Sequence, residues 1–127
     1  MLSLGSVHNH LLRAGVRMHA DIVVETGDAK TPHDFAALVG YSASGIYPYM
    51  AHDCIRHMVE TGELHLSADE AIANYDHALT SGIVAIMSKM GISTVQGYHS
   101  AQIFEIVACR SRWLIVTLPA LPAVLAA

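Results

Sequence analysis

Ser67-Ala68-Asp69-Glu70-Ala71-Ile72-Ala73-Asn74-Tyr75-Asp76-His77-Ala78-Leu79-Thr80-Ser81-Gly82-Ile83-Val84-Ala85-Ile86-Met87-Ser88-Lys89-Met90-Gly91 carries its own start, face and stop. Ser67, with Glu70 three residues on, is the pattern of a capping box. The serine oxygen accepts the Glu70 N–H while the glutamate reaches back to the Ser67 N–H. The same residues put negative charge at the positive end of the helix dipole. Ile72, Tyr75, Leu79, Ile83, Ile86 and Met90 follow at steps of three and four, which places them on one apolar stripe. Gly91 is positioned to end the helix. A long helix with one such stripe needs other elements to lie against.

The flanking residues supply them. Val7 to Ala14 reads as the end of a helix closed by Gly15, and Ala20 to Thr26 as a β-branched strand ended by Gly27. Thr31 offers an N-cap and Pro32 the first helical position, so a short helix is expected over His33 to Val39 with its stop at Gly40. Gly40 to Pro48 reads as a loop. Pro48 begins a helix to about Thr61, with Met50, Cys54, Ile55 and Met58 as its apolar face and Gly62 as its stop. Beyond Gly91, Ile92 to Gln96 reads as a short buried strand, and Ser100 as the cap of a helix carrying Ile103, Phe104 and Val107. The class is α/β, with alternating helices and short strands.

Composition narrows the function. The chain has 127 residues, enough for one core. Hydrophobic residues make up 53% and charged residues 14%, so there is more apolar surface than a small body easily hides, and some of it is expected to pack on partners. The formal charge of -4, with seven Lys and Arg and no basic cluster, argues against a nucleic-acid surface. No segment reaches the roughly 18 apolar residues of a membrane span, and the N-terminus lacks the pattern of a secretory signal. Two cysteines, Cys54 and Cys109, do not make a disulfide framework.

Five stretches kept in order point to a family. They are Val7-His8-Asn9-His10-Leu11-Leu12, Val23-Val24-Glu25-Thr26-Gly27-Asp28-Ala29, His33-Asp34-Phe35-Ala36, Gly40-Tyr41-Ser42-Ala43-Ser44-Gly45-Ile46-Tyr47-Pro48-Tyr49, and the run from Ile86 to Glu105. Together they resemble the glutamate synthase large subunit, of the glutamine-dependent NADPH or ferredoxin type. The resemblance covers residues 1–107 and places them at the end of the central domain and the start of the junction with the FMN domain. It implies an incomplete, barrel-like α/β unit, a cytoplasmic parent, and partners that are the glutaminase domain and the FMN barrel.

Residues 108–127 contain no acidic residue and no histidine, and the resemblance stops at their edge. The family would continue through a valine-aspartate-arginine-tyrosine run into a threonine-glycine-threonine turn. One choice of codons for Trp113 to Ala127, read two bases later, gives Val-Asp-Arg-Tyr-Leu-Thr-Gly-Thr. A shifted reading frame after Val107 is therefore expected, which would leave Cys109 and Trp113 without a role. The alternative is a genuine apolar tail broken by Pro119 and Pro122.

The candidate chemistry is thin. His8 and His10 share a face only in an extended chain, and His52, Asp53 and His57 lack the i, i+4 histidine pairing that presents two imidazoles to one metal. The resemblance implies that His8, His10 and His33 are family histidines and not metal ligands. Cys54 sits on an expected apolar face and reads as a packed thiol, not a nucleophile served by His52 or His57. Gly40, Gly45, Gly91 and Gly97 fit no phosphate-binding motif and read as helix stops and turns. Lys89 could meet an anion, but a lysine near a helix C-terminus already favours the dipole and covers apolar surface with its stem. No catalytic, cofactor-binding or metal residue is assigned.

The resemblance implies a parent reaction in which glutamine-derived ammonia joins 2-oxoglutarate and the imine is reduced, giving two glutamates. The glutaminase cysteine would lie upstream of Met1, and the FMN site and iron–sulfur cysteines C-terminal to this stretch. The chain alone is thus expected to be inactive and to bind no cofactor, its part being a connecting domain. The rival expectation is a free-standing scaffold that docks on separately encoded synthase domains.

Overall fold

The computed structural model describes residues 1–101, Ile103 and Phe104, and the backbone of residues 106–107 and 123–124. In chain order the elements are α1 (Leu2–Arg13), a 3-10 turn (Arg17–His19), β1 (Val23–Glu25), α2 (Pro32–Gly40), β2 (Gly45–Tyr47), α3 (Tyr49–Glu60), α4 (Ala68–Met90), α5 (Val95–Tyr98), β3 (Ile106–Val107) and β4 (Ala123–Val124). β1 pairs with β2 and β3 with β4, both in parallel. The α/β class stands. The described strands form two-stranded sheets and do not by themselves make a barrel.

Helix α4 organises the body. Ser67 Oγ accepts the Glu70 N–H at 3.3 Å, and Gly91 closes the helix in the left-handed region at φ 70°. Glu70 does not return a bond to Ser67. The complete capping box sits at α2, where Thr31 and Asp34 satisfy each other's backbone N–H groups with Pro32 between them. On α4, Leu79 is buried and Ile72, Tyr75, Ile83 and Ile86 are half-buried, as the stripe requires. Met90 is exposed, and Met87 takes the inner place in the last turn.

The core has two parts. Leu4, Phe35, Leu38, Tyr41 and Leu79 gather under the sheet, joined by Val24 and Ile46. Ala36, Met87 and Tyr98 form the second, with Ile92, Ile103 and Phe104 packed on it. The two meet where α2 crosses α4. An alanine Cβ at Gly82 would lie 2.5 Å from Pro32 Cβ, so the helices touch there backbone to ring.

Four expectations are corrected. Residues 45–47, read as loop, form β2, because their backbone groups find partners on β1. Residues 92–96 are not a strand: Thr94 Oγ1 caps α5 by accepting the Gly97 N–H at 3.1 Å. Ser100 caps no helix. It has φ 57°, and Ile103 and Phe104 lie in irregular chain against the second core. Helix α3 is turned relative to its expected face, with Met50, Cys54 and Met58 exposed, His52 buried, and Ile55 of the expected four half-buried. Most of residues 108–127, with Cys109, Trp113, Pro119 and Pro122, lie outside the described residues.

Tyr98 is fully buried and its hydroxyl finds no partner among the described residues. A buried hydroxyl without a hydrogen bond costs about 1–3 kcal/mol. Tyr98→Phe is therefore expected to raise stability by about 1 kcal/mol, read as a higher urea midpoint with an unchanged slope. A lower midpoint would mean that the hydroxyl is satisfied.

Candidate functional site

Polar side chains converge where α1, the 3-10 turn, the α2–β2 turn and the end of α5 meet. His8 Nδ1 accepts from Arg17 Nε at 3.1 Å. Its Nε2 lies 3.1 Å from Ser100 Oγ and 3.5 Å from Ser42 Oγ, and the two serine hydroxyls are hydrogen-bonded to each other. Arg17 also donates to the carbonyls of Ala20 and Ser42. Ser42 and Ser100 both hold positive φ, 75° and 57°. Non-glycine residues at such angles cost of order 1 kcal/mol or more, so the surrounding bonds must hold them there.

The tautomer follows from the partners. Arg17 is always charged and only donates, so the His8 Nδ1 that receives it carries no proton. The proton of neutral His8 is then on Nε2, which donates toward the serines. A serine nucleophile needs the reverse: a lone pair on Nε2, with Nδ1–H held by an acceptor such as a carboxylate. An arginine stands in the carboxylate's place. This arrangement is a clamp that ties residue 8 to residue 100, not a serine–histidine dyad.

Burial, followed by the Arg17 and His99 charges, pushes the His8 pKa below its usual 6.5. The unfolded chain therefore takes up this proton first. The stability gained from neutral His8 is complete above pH 6.5 and is lost as pH falls toward the lowered folded value. Urea midpoints measured from pH 7 to 5 are expected to fall, and His8→Gln to flatten that fall. Equal slopes in the two proteins would remove His8 from the account.

A second group surrounds His52, whose Nε2 lies 3.1 Å from Asp76 Oδ1. Its ring meets Tyr47 and Tyr75 edge-on, at centroid distances of 5.5 and 6.0 Å. The Tyr75 hydroxyl donates to the Lys30 carbonyl at 3.0 Å. His52 thus joins α3 to α4 and β2. Asp53 pairs instead with Arg56, and His57 with Glu60, both on the surface of α3.

The other sequence candidates are scattered. His10 is exposed, His33 packs edge-on against Phe104 at 5.8 Å, and Lys89 is exposed in the last turn of α4. Cys54, expected to be packed, is exposed. Gly91 is the helix stop it was read as, while Gly45 lies in β2 and Gly97 in α5. Among the described residues no three His, Cys, Asp or Glu side chains come together to hold a metal. Arg17, Ser42, Ser100 and Asp76 were missed. No local pattern marks them, since His8 and Ser100 are brought together only by folding.

Fold and clamp together define an α/β domain whose polar centres hold segments in place. The chain belongs to the glutamate synthase central-domain family: the model of that family matches residues 1–110. It is 47% identical over 107 residues to the glutamate synthase [NADPH] large chain of Bacillus subtilis, covering 84% of this chain and 7% of that one. It is 43% identical over 121 residues to the ferredoxin-dependent glutamate synthase of Pyropia yezoensis, covering 87% and 8%. Against the glutamate synthase [NADH] of Saccharomyces cerevisiae it is 38% identical over 113 residues, covering 83% and 5%. The chain spans less than a tenth of the length of these relatives.

Proposed function

We propose that this chain supplies the connecting central domain of a glutamate synthase, linking the glutaminase and synthase halves and helping to wall the route of ammonia between them. The central-domain match over residues 1–110 carries this reading. The open outer face of the β1–β2 sheet supports it, because parallel sheets are normally covered on both faces. Here Val23 is 70% exposed and Tyr47 43%. We read that sheet as part of a barrel-like body closed by the rest of the parent, in the cytoplasm. No described helix is long and apolar enough to cross a membrane.

Nothing in the connecting-domain reading asks this chain to hold the flavin, and the described residues do not supply the several thiolates of an iron–sulfur cluster. The one described cysteine, Cys54, is exposed, and no metal-ligating group of three assembles around it. Those groups belong, in this reading, to the other domains. The domain's contribution is shape: a packed wall keeps a reactive intermediate away from bulk water.

The purified chain, given glutamine, 2-oxoglutarate and NADPH, is expected to form no glutamate. Residues 1–107 placed in a full-length relative in exchange for its homologous stretch should keep glutamine consumption matched to glutamate formation. Glutamate made by the chain alone, or a folded exchange protein that releases ammonia uncoupled from synthesis, would overturn the proposal. The exposed Leu2, Val7, Leu12 and Met18 around α1 favour a second reading, a free-standing module that docks on separately encoded synthase domains. Co-purification with intact partner chains would select it.

We also propose that residues 108–127 come from a shifted frame. The end of the family match at residue 110 supports this. Resequencing the codons for Ile106 to Arg110 with both flanks tests it. A missing base followed by the synthase remainder is expected, and an intact run of codons would make the tail genuine.

A further inference from the structure

We propose that the His8 clamp is an acid-released latch: a proton taken up on His8 Nδ1 frees Ser100 and the chain beside it from α1, while the body built on α2 and α4 stays folded. The device needs nothing outside this chain and goes beyond the connecting-domain reading. In the closed form both ring nitrogens are used, Nδ1 accepting from Arg17 and Nε2 donating toward Ser100 and Ser42. A proton on Nδ1 turns that acceptor into a donor and sets an imidazolium against a guanidinium, which has donors only. Two cations 3.1 Å apart repel. Arg17 keeps its bonds to the carbonyls of Ala20 and Ser42, so the half-buried ring is the partner that leaves. The charges that bear on the ring come from Arg17 in the 3-10 turn and His99 at the end of α5. The α2–β2 turn brings the Ser42 hydroxyl, while the Asp21 carboxylate is taken by Ser44 at 3.0 Å.

The opening is local because of how Ser100 is held. It stands exposed in the left-handed region at φ 57°, a conformation that persists only while its surroundings enforce it. Its N–H donates to the Gly40 carbonyl at 3.1 Å, whereas the other described backbone bonds donated by residues 98–101 run within α5 and the turn after it. Loss of the His8 contact therefore leaves a strained residue with little to hold it, the kind of segment that opens below the cost of global unfolding. Phe35, Leu38 and Leu79 pack in the first core without help from His8. Because the closed ring is the weaker base, the latch is shut above pH 6.5 and opens as pH falls toward the lowered value.

The test follows amide exchange in the purified chain at pH 7 and pH 5, each rate taken relative to that of an unstructured peptide at the same pH. The expected result is a loss of protection at the Ser100 amide at least about threefold larger than at the Leu79 amide in α4. His8→Gln, which can still accept and donate but takes up no proton, should remove that difference. His10→Gln, at an exposed position of the same helix, should leave it. Equal losses at the two amides, or an extra loss at Ser100 that persists in His8→Gln, would overturn the latch. If His8→Gln does not fold, the imidazole resonances of His8 in the unsubstituted chain take its place. The change at Ser100 is then expected to follow the His8 titration, and a midpoint that departs from it overturns the proposal. Either result leaves the connecting-domain reading to its own test in the exchange protein.

Discussion

Gly82→Ala is expected to destabilise the chain by about 1–3 kcal/mol, although the same change in an exposed helix interior would stabilise by about 1 kcal/mol. Alanine is the better helix former, so propensity alone predicts a gain. Packing reverses the sign. A Cβ at residue 82 would stand 2.5 Å from Pro32 Cβ and 2.6 Å from Cγ. These atoms belong to a ring tied into the backbone of α2, not to the end of a flexible chain. α2 must therefore lift from α4, which opens the junction of the two core clusters. Urea midpoints of Gly82→Ala and of Ser81→Ala, one residue away and exposed, measure the difference. A stabilised Gly82→Ala would show that the helices are not seated on each other at this point.

Asp34→Ala is expected to cost about 1–2 kcal/mol, the upper part of the range for a lost cap. Asp34 Oδ2 accepts the backbone N–H groups of Lys30 and Thr31, at 3.1 and 2.9 Å, and the Thr31 hydroxyl at 2.8 Å. Alanine leaves all three donors to water. The charge also favours the first turn of α2. The backbone hydrogen bond from Thr31, then that from Lys30, holds the Asp34 carboxyl below its usual 3.8. Because the folded value is lowered, the associated stability is present above pH 3.8 and disappears as pH falls through the folded value. The acid limb of the stability curve should be shallower in Asp34→Ala than in the parent. Asp34→Asn, which keeps one acceptor oxygen, should fall between the two in stability at neutral pH. An unchanged acid limb would mean that Asp34 is not held as the bonds indicate.

How much was legible depended on how local each cause was. Helix α4 could be read because Ser67, the stripe and Gly91 each act within a few residues. The start of α2 was legible for the same reason, though the complete capping box was expected at Ser67 and Glu70 and occurs at Thr31 and Asp34. The segment from Ile92 to Phe104 was misread because a short apolar run suits a strand or a buried irregular chain equally well. The Thr94 cap and the core around Met87 and Tyr98 settled it. The polar clamp was illegible, since nothing near His8 points to a serine 92 residues away.

The sequence alone determined the family, the α/β class and the long helix, because ordered motifs, capping residues and apolar periodicity are written in consecutive residues. Tertiary structure decided the rest. It made residues 45–47 a strand by setting them beside β1, since three residues make a strand only when a partner takes up their backbone groups. It turned His52 inward and Met50, Cys54 and Met58 outward, because Asp76, Tyr47 and Tyr75 reward a buried imidazole on the side of α3 that meets α4. It also fixed the His8 proton on Nε2 by bringing Arg17 to Nδ1, so that a histidine beside two serines holds the fold together instead of activating a nucleophile.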